Sequence, residues 1–182
     1  VAQMQLKLGF LAYEDGRIPR AESFLVPLTK NTKKEIATRA QDLHLDILNL
    51  KKDYVTLQSA AADYAQQESD PARTKHLRKI EPESNMTRIS LLVETGLKVQ
   101  AAEEYLKFAT TTDDTELASK AMTNSISLFY KNGRAFDAAD LSVRFVAKYP
   151  QTEGREGIFE TAAKTYADLG FFVPAAKTLE TL

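Results

Sequence analysis

The sequence contains no cysteine and no tryptophan, and only 7 glycines and 6 prolines in 182 residues. Without cysteine there is no disulfide framework, no thiolate metal site and no cysteine nucleophile. The compartment stays open, because a cysteine-free chain is tolerated in oxidising and reducing surroundings alike. Neither sign of charge dominates: 24 Lys and Arg stand against 25 Asp and Glu. The basic excess that a general nucleic-acid binder needs is therefore missing. No apolar run approaches the roughly 20 residues that span a bilayer. The sequence opens at Val1 without a Met or a signal-peptide pattern, and is expected to be a processed chain or an excised piece of a longer one. Strands have no candidate, since apolar and polar residues nowhere alternate through a sustained β-branched stretch. What is present, 43% hydrophobic and 27% charged residues, is an ordinary globular composition long enough for one substantial core.

The few glycines expose a repeat. Gly16, Gly96, Gly133 and Gly170 each end an apolar-periodic stretch, and the last three fall in steps of 37 residues. Ala21, Ala101, Ala138 and Ala175 follow them, each 5 residues on. The step from Gly16 to Gly96 is 80 residues, two periods plus a remainder, so a unit without a turn glycine and a short insertion belong between them. Each unit reads as a helical hairpin. In residues 113–150, Asp113 and Glu116 form a capping pair. Met122, Ile126 and Phe129 make an apolar face, and Asn132-Gly133 stops the helix. A second helix carries Phe136, Ala138, Leu141, Phe145 and Val146 until Tyr149-Pro150.

The other units follow the same plan. Residues 151–182 place Ile158, Phe159, Ala162, Ala163 and Tyr166 before the turn, and Val173, Ala176 and Leu179 after it. Residues 83–112 place Met86, Ile89, Leu92 and Val93 before it, and Val99, Ala102, Tyr105, Leu106 and Ala109 after it. Residues 1–30 place Met4, Leu8 and Leu11 on the first helix, and Ile18, Phe24, Leu25 and Leu28 on the second. In residues 31–67, Thr32 and Glu35 predict a capping box for a helix through Leu50. A second helix there holds Tyr54, Leu57, Ala61, Tyr64 and Ala65, with no glycine to fix the register. The insertion falls at 68–82: Asp70-Pro71 predicts a short extra helix through Lys79, closed by Glu81-Pro82. The expected fold is all-α: an α-solenoid of about five antiparallel helix hairpins in one domain, small residues letting the axes approach.

Gly at the turn with Ala five residues later resembles the tetratricopeptide repeat (TPR). Leu8-Gly9 match that family's Leu-Gly pair, and Phe129 and Tyr166 its first-helix aromatic. Ala101 and Tyr105 match its Ala-x3-Phe, which Ala21/Leu25 and Ala175/Leu179 follow conservatively. Pro150 matches the closing proline. The period of 37 and the missing first-helix Trp depart from the family pattern. The resemblance implies a right-handed superhelix that binds protein or peptide partners. The Phe-Val-Ala-Lys-Tyr-Pro run at 145–150 also resembles repeats of bacterial cell-envelope assembly proteins, which implies an envelope or periplasmic setting.

Chemistry has little support. His44 and His76 lie in no metal-ligand spacing. His44 reads as a helix residue making one hydrogen bond, and His76 as a member of a solvated cluster with Arg73, Lys75, Arg78 and Lys79. The pairs Glu103-Glu104 and Asp113-Asp114 are adjacent, and adjacent helix residues do not face each other. Gly154 and Gly157 have no strand before them to make a phosphate loop, and Asn85-Met86-Thr87, which fits a glycosylation acceptor, is expected instead to open a helix. Lys120 and Asn124 loosely match the carboxylate-holding Lys and Asn of some TPR proteins, without a matching set in neighbouring units. No catalytic residue, metal or cofactor is expected.

In a right-handed stack the first helices line the concave face, and the positions about 100° round from the buried ones look into the groove. These are Phe10, Tyr13 and Glu14 in the first unit, and Ser90, Val93 and Glu94 in the third. The fourth gives Thr123, Ser127, Tyr130 and Lys131, and the fifth Glu160, Lys164 and Asp168. Tyr13 and Tyr130 stand at equivalent places, and tyrosine offers amphipathic contact area at low entropic cost. The expected function is a protein-interaction scaffold that binds a partner peptide or helix in this groove, within a larger protein or complex. A self-associating structural repeat and a helical regulatory subunit of an enzyme are the alternatives. Leu179 and Leu182 lack the polar outer face of a capping helix, so further repeats, another domain or a second copy are expected to cover the C-terminal edge.

Overall fold

A computed structural model describes residues 1–181. They form α1 (Ala2–Glu14), α2 (Ile18–Leu25), a 3-10 segment (Val26–Lys30), α3 (Lys34–Leu50), α4 (Tyr54–Gln67), α5 (Pro71–Glu94), α6 (Lys98–Thr111), α7 (Thr115–Lys131), α8 (Ala135–Lys148), α9 (Arg155–Asp168) and α10 (Phe172–Leu179). There is no strand among the described residues. The fold is all-α, with helices packed in neighbouring pairs in the manner of a solenoid. The chain divides into two compact units, Val1–Ser84 and Asn85–Leu182.

One turn geometry recurs five times. In the fourth hairpin the Gly133 N–H donates to the Tyr130 carbonyl at 3.4 Å and the Arg134 N–H to the Phe129 carbonyl at 3.0 Å. This pair of bonds is the Schellman closure of a helix end, and it places one residue in the left-handed region. Gly16, Gly96 and Gly170 make the same pair. The second hairpin, which has no glycine to mark it, does so with Lys52: its N–H donates to Asn49, the Asp53 N–H donates to Leu48, and its φ is 57°. The turn residues therefore stand at 16, 52, 96, 133 and 170, steps of 36, 44, 37 and 37 residues.

The long step shows where the insertion lies. No separate short helix spans 71–79, and Glu81-Pro82 closes nothing: α5 runs unbroken for 24 residues with Pro82 inside it. A proline removes one bond of the helix ladder and crowds the preceding turn. Here Leu77 and Ile89 are buried on either side of it, and the Ser84 hydroxyl donates to the Glu81 carbonyl at 2.9 Å. Burial on both flanks outweighs the lost bond. The predicted helix start at 71 holds, with Asp70 Oδ1 accepting from the Ala72 N–H at 3.1 Å. Two other caps shift. The Thr32–Glu35 box does not form: the cap of α3 is Lys33, without a side-chain bond, and Asn31 Oδ1 takes the Lys33 N–H instead. The cap of α7 is Asp114 rather than Asp113, its Oδ1 accepting from the Leu117 N–H at 3.0 Å.

The alanines five residues after the turns are core: Ala21, Ala101, Ala138 and Ala175 are all buried, as is Leu57 at that place in the second hairpin. In the first unit Ala12, Ala21, Leu25, Leu28, Ile36, Ala40 and Ile47 form one cluster. In the second, a larger cluster runs from Ile89 through Tyr105, Met122, Phe129 and Phe145 to Phe159. The predicted faces need correction at the edges. Met4, Leu8 and Leu11 are exposed, and α1 buries Gly9 and Ala12 instead, with Leu6 and Tyr13 half-buried beside them. Val99, Phe136, Val173, Ala176 and Leu179, read as buried, are also exposed to solvent. Leu182 lies outside the described residues.

Candidate functional site

The predicted groove residues fall in both compact units. Phe10, Tyr13 and Glu14 lie on α1; Ser90, Val93 and Glu94 on α5; Thr123, Ser127, Tyr130 and Lys131 on α7; Glu160, Lys164 and Asp168 on α9. Phe10, Glu14, Glu94, Thr123, Lys131, Glu160, Lys164 and Asp168 are exposed, and the others half-buried. Tyr13 and Tyr130 are equivalent in detail: each carbonyl accepts the N–H of the turn glycine of its hairpin. Each ring leans on its own unit's core. Within the second unit α7 and α9 come together at Tyr130, whose hydroxyl lies 3.5 Å from that of Thr165.

A depression in the first unit joins the first helices of its two hairpins. A groove of about 550 Å³ runs between α1 and α3, lined by Gln3, Leu6, Lys7 and Phe10 from one side and Arg39, Asp42 and Leu43 from the other. The two walls obey the repeat: Gln3, Leu6 and Lys7 correspond to Arg39, Asp42 and Leu43, 36 residues on, which is the step between the turn residues 16 and 52. Phe10 is the predicted site residue that lines this groove. The α3 wall was not reachable from the sequence, because without a turn glycine the register of the second unit had no anchor. A left-handed Lys at position 52 would have supplied it.

Leu6, Phe10 and Leu43 give the groove an apolar floor. Leu6 and Leu43 also pack on the core beneath, so the floor is held in place. Charge sits on the rim. The Asp42 carboxylate is met by Arg73 at 2.6 Å, whereas Arg39 makes a long i,i+4 contact with Glu35 at 3.4 Å, both side chains well exposed. Such exposed pairs contribute little. Lys7 and Arg39 therefore set the rim's character, and it is cationic.

Beside this groove lies a built polar centre. The Glu68 side chain is only 5% exposed, and Lys34 Nζ stands 2.7 Å from Oε1. The Ser69 and Asp70 N–H groups donate to the same oxygen at 2.7 and 2.9 Å, and Arg73 Nε lies 3.1 Å from Oε2. The Lys34 hydrogen bond, then the backbone donors, hold its pKa down at about 2. Arg73 thus does not belong to a solvated basic face; its neighbours Lys75, His76, Arg78 and Lys79 are more open to solvent. Lys34 and two backbone donors hold Oε1 while the Arg73 guanidinium lies against Oε2, so this carboxylate serves as a clasp between the α4–α5 link and α3. His44 makes the single bond expected of it: Nδ1 lies 2.7 Å from the Tyr64 hydroxyl. Burial, more than the opposing Glu22 field, pushes its pKa down.

No group of His, Asp and Glu capable of holding a metal ion occurs among the described residues, and no helix among them is long and apolar enough to cross a membrane. Lys120 is engaged by Glu116 at 2.6 Å. No protein-family model matches the chain, and no curated protein matches it.

Proposed function

We propose that this chain is a protein-interaction scaffold of TPR-like helix hairpins, which takes an amphipathic, acidic helix or peptide of a partner protein into the groove between α1 and α3. The observation that carries this reading is the groove itself: an apolar floor of Leu6, Phe10 and Leu43 under the cationic rim of Lys7 and Arg39. An apolar side chain of the partner would seat on Phe10 and Leu43, while Asp or Glu one helical turn away would meet Lys7 or Arg39. Because the walls are helices fixed by their own core, little ordering is needed on the scaffold side, and the surface arrives pre-organised.

The test is a displayed library of helical peptides selected on the wild-type chain, with binding then measured by fluorescence anisotropy. Selected peptides should carry an apolar anchor flanked by Asp or Glu. Phe10→Asp and Lys7→Glu should each weaken them by roughly tenfold or more, a loss of about 1.4 kcal/mol. The double change Tyr130→Ala, Lys131→Glu asks the same of the α7 surface. Peptides indifferent to Phe10 and Lys7 but lost with Tyr130 and Lys131 would move the binding face to the second unit. Indifference to all four substitutions would remove the reading.

A further inference from the structure

Three charged side chains line the α1–α3 groove: Lys7, Arg39 and Asp42. The third has the wrong sign for an acidic partner. Asp42 stands three residues after Arg39 on α3, and side chains at that spacing are neighbours, with about 5–6 Å between their Cβ atoms. A partner carboxylate brought to Arg39 would therefore come close to the Asp42 carboxylate and be repelled by it. What removes this obstacle comes from outside the groove. Arg73 is not among the lining residues, yet its Nη1 donates to Asp42 Oδ1 at 2.6 Å.

Arg73 is built into that position. Its side chain is 15% exposed, whereas that of Asp42 is 52% exposed. Its Nη2 donates to Gln41 Oε1 at 3.3 Å, and its Nε lies 3.1 Å from Glu68 Oε2 without a hydrogen bond. Of the two carboxylates beside it, Asp42, on the groove, thus takes the guanidinium's hydrogen bond, and Glu68 accepts from the Ser69 and Asp70 N–H groups. The backbone beneath Arg73 is fixed as well: the Thr74 hydroxyl donates to the Asp70 carbonyl at 2.9 Å, and Leu77, one turn on, is 1% exposed. Residue 73 belongs to the insertion at 68–82, which thereby supplies the groove with a cation that the repeat itself does not. We propose that Arg73 sets the groove's choice of partner charge: by neutralising Asp42 it admits an acidic residue against the α3 wall, and without it the same wall would favour a neutral or basic residue there. The inference rests on the reading of this groove as the partner site. Arg73 is a positioning residue, acting through Asp42 rather than by touching the partner.

The test uses one helical peptide selected by display on the wild-type chain, in two forms that differ only in Asp and Glu replaced by Asn and Gln. Fluorescence anisotropy gives the ratio of their affinities for each variant. Arg73→Gln exposes the Asp42 charge and should cut the preference for the acidic form by roughly two- to fivefold, the range of an exposed charge pair, with the effect fading at high salt. Asp42→Asn should raise the preference by a similar factor, and the double variant should return it to the wild-type value. Arg73→Lys keeps the charge and should keep the preference. A merely structural role of Arg73 would weaken both peptide forms equally, with no rescue by Asp42→Asn. Lys75→Gln, which removes an exposed cation from the same helix, should leave the ratio unchanged. Circular dichroism checks each fold, and Asp42→Asn, on the half-exposed partner, carries the test if Arg73→Gln fails to fold. A ratio that neither Arg73→Gln nor Asp42→Asn moves, or that Lys75→Gln moves as far, would overturn the proposal. The two readings fail separately. A selection that yields no peptide, or peptides that Phe10→Asp leaves bound, removes the groove reading and this inference with it. Phe10-dependent binding whose charge preference ignores Arg73 and Asp42 removes this inference alone.

Discussion

Lys52 holds the left-handed backbone conformation, φ 57°, at the place in its hairpin that Gly133, φ 78°, holds in the regular one. Both residues donate their N–H to the carbonyl three positions back, and the residue after each donates to the carbonyl five positions back from itself. An L-residue in this region carries a strain of about 1–2 kcal/mol from its Cβ. Glycine avoids it, at an added unfolded-state entropy of about 0.5–1 kcal/mol. Lys52→Gly should therefore stabilise the chain by about 0.5–1 kcal/mol. Urea unfolding at neutral pH measures this as a higher midpoint with an unchanged slope.

That residue also marks the limit of what the sequence discloses. Hairpins with a turn glycine could be registered to the residue, and the alanine five positions on is core in each. Lys52 breaks no rule of hydrogen bonding and so leaves no composition signal; the α3 wall of the groove was hidden with it. Pro82 misleads in the opposite direction. A local rule reads it as a break, and burial on both sides, a tertiary effect, carries the helix through. Met4, Leu8 and Leu11 have the periodicity of a core face, and periodicity alone cannot say whether a neighbour exists to cover it. Arg73 sits in a run of cations, but only the position of Glu68 reveals that it turns inward.

The clasp at Glu68 should make the fold acid-sensitive in a defined window. Its carboxyl is held at about 2, against an ordinary value of 4.5. A lowered carboxyl pKa means that the unfolded chain takes up a proton before the folded one does. The stabilisation is complete above 4.5 and is lost as pH falls toward 2. Denaturant unfolding at a series of pH values should show this decline in the wild type and a flatter profile in Glu68→Gln. At neutral pH the same variant should be less stable by on the order of 2 kcal/mol, because two cations lose their anion.

His44 acts earlier on the same acid limb. Its pKa lies below the ordinary 6.5, chiefly through burial. On acidification the unfolded imidazole is protonated first, so stability begins to fall as pH drops below 6.5 and goes on falling to the depressed folded value. In His44→Gln this first decline should vanish while the Glu68 step remains. An NMR titration of the His44 ring protons gives the folded value directly, and a midpoint above 6.5 would contradict the burial argument.

Ser125 should separate hydrogen bonding from packing at the junction between hairpins. It is fully buried, with its hydroxyl on the Ala102 carbonyl. Ser125→Ala removes one neutral hydrogen bond and should cost about 1 kcal/mol. Ser125→Leu forces bulk into this fully buried contact between α6 and α7 and should cost about 1–3 kcal/mol. In a chain of this size each kcal/mol lowers Tm by about 2–4 °C, so calorimetry resolves the two.

Two helical glycines should respond to alanine with opposite signs. A Cβ on Gly9 of α1 would stand 2.7 Å from both Cγ and Cδ2 of Leu25 and 3.3 Å from Cβ of Phe24. Leu25 is wholly buried, so it has no free space to swing into. A Cβ on Gly157 of α9 would meet nothing within 4 Å. In a helix interior alanine is favoured over glycine by about 1 kcal/mol, less in the first turn where Gly157 sits. Gly157→Ala should gain about 0.5 kcal/mol of that preference. Gly9→Ala must set the same preference against forcing α1 away from α2, a displacement that costs about 1–3 kcal/mol in a packed core. The expected result is a raised Tm for the first and a lowered one for the second. Equal gains in both would mean that α1 and α2 do not approach as closely as the Gly9–Leu25 contact requires.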